Sequence, residues 1–397
     1  MPIGPKSALA IAATAVAAIA IPLAAQQKPS SGPVARYDMR AGTLAGMAGM
    51  GAGGMMGAMF GGGGGGKVQH ELYLRLGSSQ AAGKGAPKAD HFMPPNARLG
   101  KSVALVTPRA EKEPEMFPQK PKGRLLIFWG CGEHAPKGQP VVLDFAKVAA
   151  GQMPAGMPAS AVVRDWGPSP TNSRTFGRWP AEDNKFVKPD SALPGPHRVV
   201  SNYAPEISFT LARDFMKPLS QRTTSMPSGA TLVSWTALPD ATGYLVGLFG
   251  GKQGPGGEMG DMVMWTSSAT RQFGGGLADW LSPAQVASLT KDLTVLPPSK
   301  TNCAIPAEVN RAAADFKMGT LTAFGPEETF SYPPRPATGP WNLEWTVRAR
   351  HRSTTSWMQM QGMSMGGAQG GGQQGGCRPR GGLGGMLGGA LGGGGGC

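Results

Sequence analysis

Three side chains capable of chemistry stand close together after an apolar run at residues 125–129. Cys131, Glu133 and His134 bring a thiol, a carboxylate and an imidazole into four positions. A nucleophilic cysteine needs a base within hydrogen-bond reach and a lowered thiol pKa. The end of a strand does not by itself direct His134 back toward Cys131. The competing interpretation is a disulfide that fixes the end of the strand, and the choice between the two depends on the compartment.

The first 25 residues predict that the chain is exported. Lys6 precedes an uncharged, Ala-rich run over residues 8–25, and polar Gln26 follows. This is the three-part layout of a secretory signal peptide, with Ala24 or Ala25 as the last residue removed. An uncleaved anchor helix is the alternative, but 18 mostly alanine residues are short and weakly apolar for a membrane span. We therefore expect the mature chain in the periplasm, at the cell surface or outside the cell.

Export favours disulfides over free thiols, because paired cysteines persist in oxidising compartments. The chain has four cysteines, for which three pairings exist. The simplest pairing joins Cys131 to Cys303 and Cys377 to Cys397. We therefore interpret Cys131 as structural and assign no catalytic residue.

The charge balance is strongly basic, with a formal net charge of +14. Arg348, Arg350 and Arg352 form a local cluster that predicts a basic surface. In an exported protein, envelope polysaccharide and anionic membrane surfaces are the available acidic partners. A solvated surface that keeps the protein soluble is the simpler interpretation. Nucleic acid is not expected, because no aromatic-basic motif accompanies the charge.

Glycine and methionine are concentrated in two segments that flank a β-rich centre. Residues 26–66 and 358–397 predict disordered arms, since their composition buries little apolar area. Glycines four apart in both arms permit a second interpretation, close helix packing in self-association or in a membrane. Against it, each glycine destabilises a helix by about 1 kcal/mol.

Alternating apolar residues predict strands between the arms. Residues 68–76 alternate cleanly, and residues 125–129 are apolar throughout, as in a strand buried on both faces. The most regular alternation is at residues 341–350. We expect a β-rich region over 67–200 and a second β domain over 201–357.

The second domain carries a local resemblance to a known family. Residues 230–249 read as strand, Pro-Asp turn and strand, with Trp235 in the first strand and Tyr244 after Gly243 in the second. This stretch resembles the B–C strand pair of fibronectin type III and immunoglobulin-like domains. The resemblance implies that Trp235 and Tyr244 share one interior, and we expect them on neighbouring antiparallel strands. The expected fold class is a mainly β, antiparallel β-sandwich with helical insertions.

A helical insert is predicted at residues 282–317. Ser282 is a suitable N-cap with Pro283 at the first helical position, and Pro306 opens a second helix. A compact sandwich would continue with strands here, so the insert departs from the family pattern.

The methionines permit an alternative interpretation, a metal site. Met358, Met360, Met363 and Met365 form M-x-M-x-x-M-x-M. Thioethers select Cu(I), and exported Met-rich segments of this kind resemble those of periplasmic copper-handling proteins. The simpler interpretation is flexible apolar sequence, for which no cofactor is needed.

The sequence therefore predicts an exported cell-envelope protein that binds or scaffolds rather than catalysing a reaction, with Gly-rich arms for tethering or self-association. Neither a G-x-S-x-G elbow nor a P-loop occurs in the sequence. Two alternatives stay open. One is a carbohydrate-active or other hydrolytic enzyme on the same sandwich, because paired carboxylates need only meet in space. The other is a periplasmic copper-handling protein.

Overall fold

Three β-sheets organise the chain, as seen in a computed structural model that describes residues 32–50, 68–108, 123–152, 167–181, 186–253, 259–272, 277, 279–360 and 363–365. The strands are β1 Ala35–Gly46, β2 Gln69–Ser78, β3 Ala89–Phe92, β4 Ser102–Ala104, β5 Arg124–Trp129, β6 Val141–Asp144, β7 Thr175–Trp179, β8 Phe186–Val187, β9 Gly195–Ser201, β10 Ile207–Leu211, β11 Gln221–Ser225, β12 Thr231–Trp235, β13 Gly243–Gln253, β14 Met259–Thr266, β15 Asn302–Ile305, β16 Phe316–Tyr332, β17 Trp345–Met360 and β18 Met363–Met365. The α-helices are α1 Phe145–Ala149, α2 Pro283–Leu289 and α3 Ala307–Ala312, and 3₁₀ turns occupy Met47–Gly49 and Pro95–Ala97.

The largest sheet runs in the order β6-β5-β14-β13-β16-β17-β1-β2-β7, with β18 added to β17 and β8 to β2. The expected mainly β class is confirmed. The sheet is mixed, however, because β1 pairs with β17 in parallel and β5 pairs with β14 in parallel. Its strands come from both sides of residue 200. The boundary predicted there therefore does not separate two sheets.

Period-two alternation explains the central strands. Leu72, Leu74 and Leu76 of β2 are fully buried, as their spacing predicts. In β17, Trp345 and Val347 are buried in the same way. The predicted strand at residues 341–350 is confirmed from position 345 onward, but it continues ten residues further, to position 360.

Two apolar cores lie on one side of the large sheet. The first lies between the β10-β9-β3-β4 sheet and the β17-β1-β2 portion of the large sheet. The second lies between the β11-β12-β15 sheet and strands β13, β14 and β16. The long strands β16 and β17 contribute residues to both, so they join the two cores through continuous backbone hydrogen bonding.

Trp235 and Tyr244 meet in the second core. Their ring centroids lie 5.4 Å apart, and both side chains are buried. The prediction that both residues face one interior is confirmed. The prediction that they lie on neighbouring strands is wrong. Trp235 ends β12 in the three-stranded sheet, whereas Tyr244 lies in β13 of the large sheet. The two rings therefore face each other across the core.

Part of the predicted N-terminal arm is a central strand. Residues 35–46 form β1, which pairs with β17 on one side and β2 on the other, and Ala41 is 1% exposed. The uncharged, small residues at 41–46 are also suitable for a strand buried on both faces, and here they continue the strand that begins at Ala35. The C-terminal arm likewise begins later than expected, because residues 358–360 belong to β17 and residues 363–365 form β18. The predicted signal peptide and the remaining arm residues, 26–31, 51–66, 361–362 and 366–397, lie outside the described residues.

The predicted helical insert is only partly helical. Ser282 caps α2 through a capping box with Gln285, as expected. Pro306 is the residue before α3, and Glu308 lies in its first turn. Between the helices, residues 302–305 form β15, which completes the three-stranded sheet. The insert therefore contributes a strand to the second core.

Candidate functional site

Cys131 and Cys303 are bonded, which confirms the predicted disulfide. Their Cα atoms lie 5.2 Å apart. Cys131 follows the end of β5 in the large sheet, and Cys303 is buried in β15. The backbone N–H of Gly132 also donates to the carbonyl of Ala304 at 3.0 Å. The bond therefore links two sheets beside the second core. Cys377 and Cys397 lie outside the described residues.

The imidazole and the thiol near β5 have separate partners. Nδ1 of His134 lies 3.1 Å from a carboxylate oxygen of Glu308 in α3. The other oxygen of Glu308 accepts a 2.8 Å hydrogen bond from the backbone N–H of Ala135. That backbone donor, with smaller contributions from His134, lowers the pKa of the Glu308 carboxyl to about 2. These hydrogen bonds join the loop after β5 to helix α3. Cys131 is disulfide-bonded and therefore cannot act as a thiolate nucleophile.

A charged face covers the side of the large sheet opposite the first core. The strands β17, β1 and β2 alternate, so that apolar residues meet the core and charged residues face the other way. We call the following residues the charged face: Asp38, Arg40, Glu71, Tyr73, Arg75, Glu327, Arg348, Arg350 and Arg352.

Asp38 is the centre of the charged face. Both of its oxygens lie 2.8 Å from Nη2 of Arg350, and Oδ2 also accepts a 2.7 Å hydrogen bond from Nε of Arg40. Arg348 reaches Oδ1 at 3.4 Å. Asp38 is 0% exposed and Arg350 3% exposed. The predicted basic surface is therefore wrong for Arg350, because the neighbouring strand supplies a carboxylate that the local sequence does not contain.

A second ion pair extends the charged face toward β2. Glu71 accepts hydrogen bonds of 2.9 and 3.1 Å from Arg352. The guanidinium of Arg352 stacks over the buried ring of Trp280 at 4.1 Å, and Arg350 donates to the carbonyl of Trp280. The carboxylate of Glu71 lies directly over Gly42, and a Cβ at position 42 would collide with it. Trp280 therefore covers Arg350 and Arg352, which were expected to be exposed to solvent.

Glu327 adds a half-buried carboxyl to the same face. It lies opposite Arg350, just after a register shift in β16. Burial raises the pKa of the Glu327 carboxyl, although Arg348 and Arg350 act to lower it. Glu328, the next residue, accepts 3.0 Å hydrogen bonds from two backbone N–H groups at positions 212 and 213. These adjacent carboxylates therefore face different partners.

A buried chain of hydrogen bonds crosses the first core. Nε2 of His197 lies 2.8 Å from the carbonyl of Leu193, so this nitrogen must be the donor. Nδ1 of His197 then accepts from Nε2 of His91 at 3.0 Å, and Nδ1 of His91 accepts from the Tyr37 hydroxyl at 2.7 Å. One pattern of tautomers satisfies every group. Burial lowers the pKa of both histidines, and for His91 the neighbouring His197 lowers it further.

The predicted methionine motif lies on two paired strands. Met358 pairs with Met365, and Met360 pairs with Met363, between β17 and β18. The spacing M-x-M-x-x-M-x-M thus becomes two directly opposed pairs.

An aromatic platform lies where β16 and β17 are joined, and we define it by Tyr332, Arg335, Trp341 and Trp345. Tyr332 is 48% exposed and stacks on Trp345 with centroids 5.8 Å apart and planes at 19°. Nε1 of Trp341 donates to the carbonyl of Pro333 at 3.0 Å. The guanidinium of Arg335 lies 5.7 Å from the Trp341 ring. The platform thus contains one exposed ring, Tyr332, and one cation, Arg335, which lies beside the half-buried ring of Trp341.

Sequence reasoning missed three of these features. The carboxylate partners of the arginines and the histidine chain join residues from distant strands, whereas the aromatic platform lies within residues 332–345, between consecutive strands. The period-two charges of β1 and β2 were a usable signal for the charged face, because Asp38 and Arg40 alternate with buried residues. For His91 and His197 the sequence carries no such signal.

Among the residues that the structure describes, no group of three or more histidine, cysteine, aspartate or glutamate side chains could hold a metal ion. Within the same residues, no helix has the length and apolarity needed to cross a membrane. Comparison with known proteins gives no relative: no family model matches the chain, and no curated protein matches it significantly.

Proposed function

We propose that this chain is an exported cell-envelope protein that binds or scaffolds and does not catalyse a reaction. The observation that carries the proposal is the disulfide between Cys131 and Cys303, which joins two sheets beside a core. Structural disulfides of this kind persist in oxidising compartments and are rare in the cytosol. The N-terminal 25 residues, read as a signal peptide, agree with that compartment.

We further infer that residues 221–360 form a fibronectin-like sandwich. The strand order β11-β12-β15 in one sheet and β14-β13-β16-β17 in the other supports this. In immunoglobulin-like domains the second and third strands belong to opposite sheets, as β12 and β13 do. Trp235 and Tyr244 then occupy the two sides of one core. Domains of this architecture serve many binding roles, so the fold agrees with a binding function without specifying the ligand.

The proposed ligand is an acidic envelope polysaccharide, bound at the aromatic platform. Exposed Tyr332, held flat on Trp345, offers an apolar face to a sugar ring, and Arg335 offers a positive charge to an acidic group. The net charge of +14 draws such polyanions to the protein. The Gly-rich arms are proposed to tether the protein or to mediate self-association.

Fractionation of cells that express the full chain tests export. We expect the protein in the envelope or periplasmic fraction, with a mature N-terminus at residue 25 or 26. Peptide mapping without reductant should find Cys131 bonded to Cys303. A full-length cytosolic chain with free thiols would contradict the proposal.

Co-sedimentation with purified acidic cell-wall polysaccharide tests the ligand. Tyr332→Ala should weaken binding about 30-fold, the equivalent of about 2 kcal/mol for an aromatic at the centre of a contact. Val142→Ala is the matched control, because Val142 is an exposed apolar residue of β6, 39% exposed. Equal binding by both variants, or binding to anionic vesicles instead, would contradict the platform as the site.

A further inference from the structure

Three methionines on three neighbouring strands stand at one register position. Met318 of β16 is opposite Met358 of β17, and Met358 is opposite Met365 of β18. Directly opposed residues of antiparallel strands lie on the same face of a sheet, with Cβ atoms about 4.5–5.5 Å apart. We call these three residues the methionine row. Met318 lies 40 positions before the M-x-M-x-x-M-x-M motif, so the row is a product of the fold.

A second pair of methionines lies beside the row. Met360 is opposite Met363, two residues along from Met358 and Met365. Residues two apart in a strand return to the same face, about 6.5 Å along the strand. Met318 and the four methionines of the motif are therefore adjacent in the strand register of β16, β17 and β18.

The end of β1 makes room for this arrangement. β1 pairs with β17 as far as Gly46 opposite Ser356, and there the backbone of Gly46 adopts φ +61° and leaves the sheet. A Cβ at Gly46 would collide with the carbonyl of Ser356, so glycine is needed for the departure. The edge of β17 beyond Ser356 is then available, and β18 pairs with it.

The surroundings favour a soft ion. Met318 is 37% exposed and Met358 is half-buried, so solvent reaches the row. On the other side of Met318 stands the half-buried ring of Phe249, and no carboxylate or imidazole belongs to the row. Hard cations require oxygen ligands and zinc prefers thiolate or imidazole, whereas thioethers select Cu(I).

We propose that the methionine row binds one Cu(I) ion, with the thioethers of Met318 and Met358 as ligands. Metal–sulfur bonds of about 2.3 Å place two coordinated sulfurs about 4 Å apart. Methionine has three rotatable bonds, so side chains on strands spaced about 4.8 Å apart reach that separation. Binding involves no electron transfer.

Titration with Ag(I), a soft monovalent ion that needs no reductant, tests the site in the full mature chain. Free thiols are first alkylated, so that Cys377 and Cys397 cannot bind silver, and the Cys131–Cys303 disulfide stays intact. We expect one tight equivalent, with the ¹³C-methyl signals of Met318 and Met358 shifting together. Cu(I) held in competition with a chromophoric chelator should bind with the same stoichiometry.

The deciding comparison is between two leucine variants, because methionine-to-leucine changes conserve apolar volume. Met318→Leu should weaken binding at least tenfold, and Met264→Leu should leave it unchanged. Met264 lies at the same register position two strands away, separated from Met318 by Phe249. Melting temperatures of both variants verify folding. If Met318→Leu binds like the wild type while Met358→Leu does not, the linear motif alone binds metal and the proposed row is wrong. The absence of a tight equivalent in the wild type would also overturn it.

Discussion

Asp38 and Arg350 lie 312 positions apart in the chain and form a buried ion pair in which Nη2 of Arg350 is 2.8 Å from both carboxylate oxygens. The pair joins β1 to β17, the two strands that run in parallel at the middle of the large sheet. Parallel neighbours cannot be joined by a hairpin, so their alignment depends on contacts between distant segments. The ion pair supplies one such contact.

Removal of one partner of this pair should be costly. Arg350→Ala leaves Asp38 buried without its principal cation, and we expect a loss of about 3–5 kcal/mol in unfolding free energy. Denaturant unfolding monitored by tryptophan fluorescence measures it.

The double variant Asp38→Ala/Arg350→Ala provides the control. It removes both members of this pair, and Arg40, which also loses Asp38, keeps its 3.4 Å contact with Asp279, so the double variant should recover part of the loss. Arg98→Ala, at an exposed ion pair with Asp190, should cost less than about 1 kcal/mol. Equal effects of Arg350→Ala and Arg98→Ala would show that the charged face contributes little.

The disulfide between Cys131 and Cys303 should contribute to the unfolding free energy because it closes a long loop. Cys131 and Cys303 are 172 positions apart, and closure of so long a loop is worth about 5 kcal/mol in the chain-entropy model. We expect Cys303→Ala to lower the unfolding free energy by about 2–5 kcal/mol. The double variant Cys377→Ala/Cys397→Ala keeps the Cys131–Cys303 bond and serves as the control. If reductant destabilises the wild type and Cys303→Ala equally, the bond is not the cause.

Local pattern was sufficient to predict some elements and not others. The strand around Leu72–Leu76, the cap at Ser282 and the burial of Trp345 and Val347 follow from spacing along a few residues. The charged face does not, because the charged residues nearest to Arg350 in the sequence, Arg348 and Arg352, are also basic. Its carboxylate partner enters from a strand more than 300 residues earlier.

β1 is a second element that the local sequence could not predict. Residues 41–46 contain no charge and continue into a Gly/Met-rich stretch, so composition predicts an arm. Their burial depends on β17, which pairs with them in parallel along their whole length. Neither strand shows this pairing in its own sequence. Spatial neighbours therefore decided both the fold of β1 and the environment of the arginines.

The first core should weaken in mild acid. Burial lowers the pKa of His91 and His197 in the folded state, whereas in the unfolded chain they titrate near about 6.5. Their contribution is complete above that pH. As the pH falls below it, the unfolded state binds protons first and stability decreases, by up to about 1.4 kcal/mol per pH unit for each histidine.

Melting temperatures between pH 8 and pH 5 test this dependence. His91→Gln removes one titrating group and should flatten the decrease. Tyr37→Phe removes a hydrogen bond to His91 but keeps both histidines, so it should lower stability while the pH dependence persists. An unchanged pH dependence in His91→Gln would contradict the assignment.

The second core should depend on Trp235. Its ring is buried against Tyr244, and deletion of a buried aromatic typically costs about 3–5 kcal/mol. Trp235→Ala should show such a loss in denaturant unfolding. Tyr332→Ala, which removes an exposed ring, is the matched control and should cost much less. A loss below about 1 kcal/mol for Trp235→Ala would mean that the second core does not rest on this contact.

A buried charge in β1 gives the clearest test of the strand that composition did not predict. Ala41 is 1% exposed and faces the first core between Leu72 and His351 of the neighbouring strands. Ala41→Asp would place a carboxylate there with no cation designed to meet it, so we expect a loss above about 3 kcal/mol or failure to fold. Ala58→Asp, within residues 51–66, is the comparison, because the sequence still predicts an arm there and hence a change of less than about 0.5 kcal/mol. Proteolysis and thermal melting of both variants measure the difference. Similar stability of Ala41→Asp and the wild type would mean that residues 41–46 do not pair with β17 in solution.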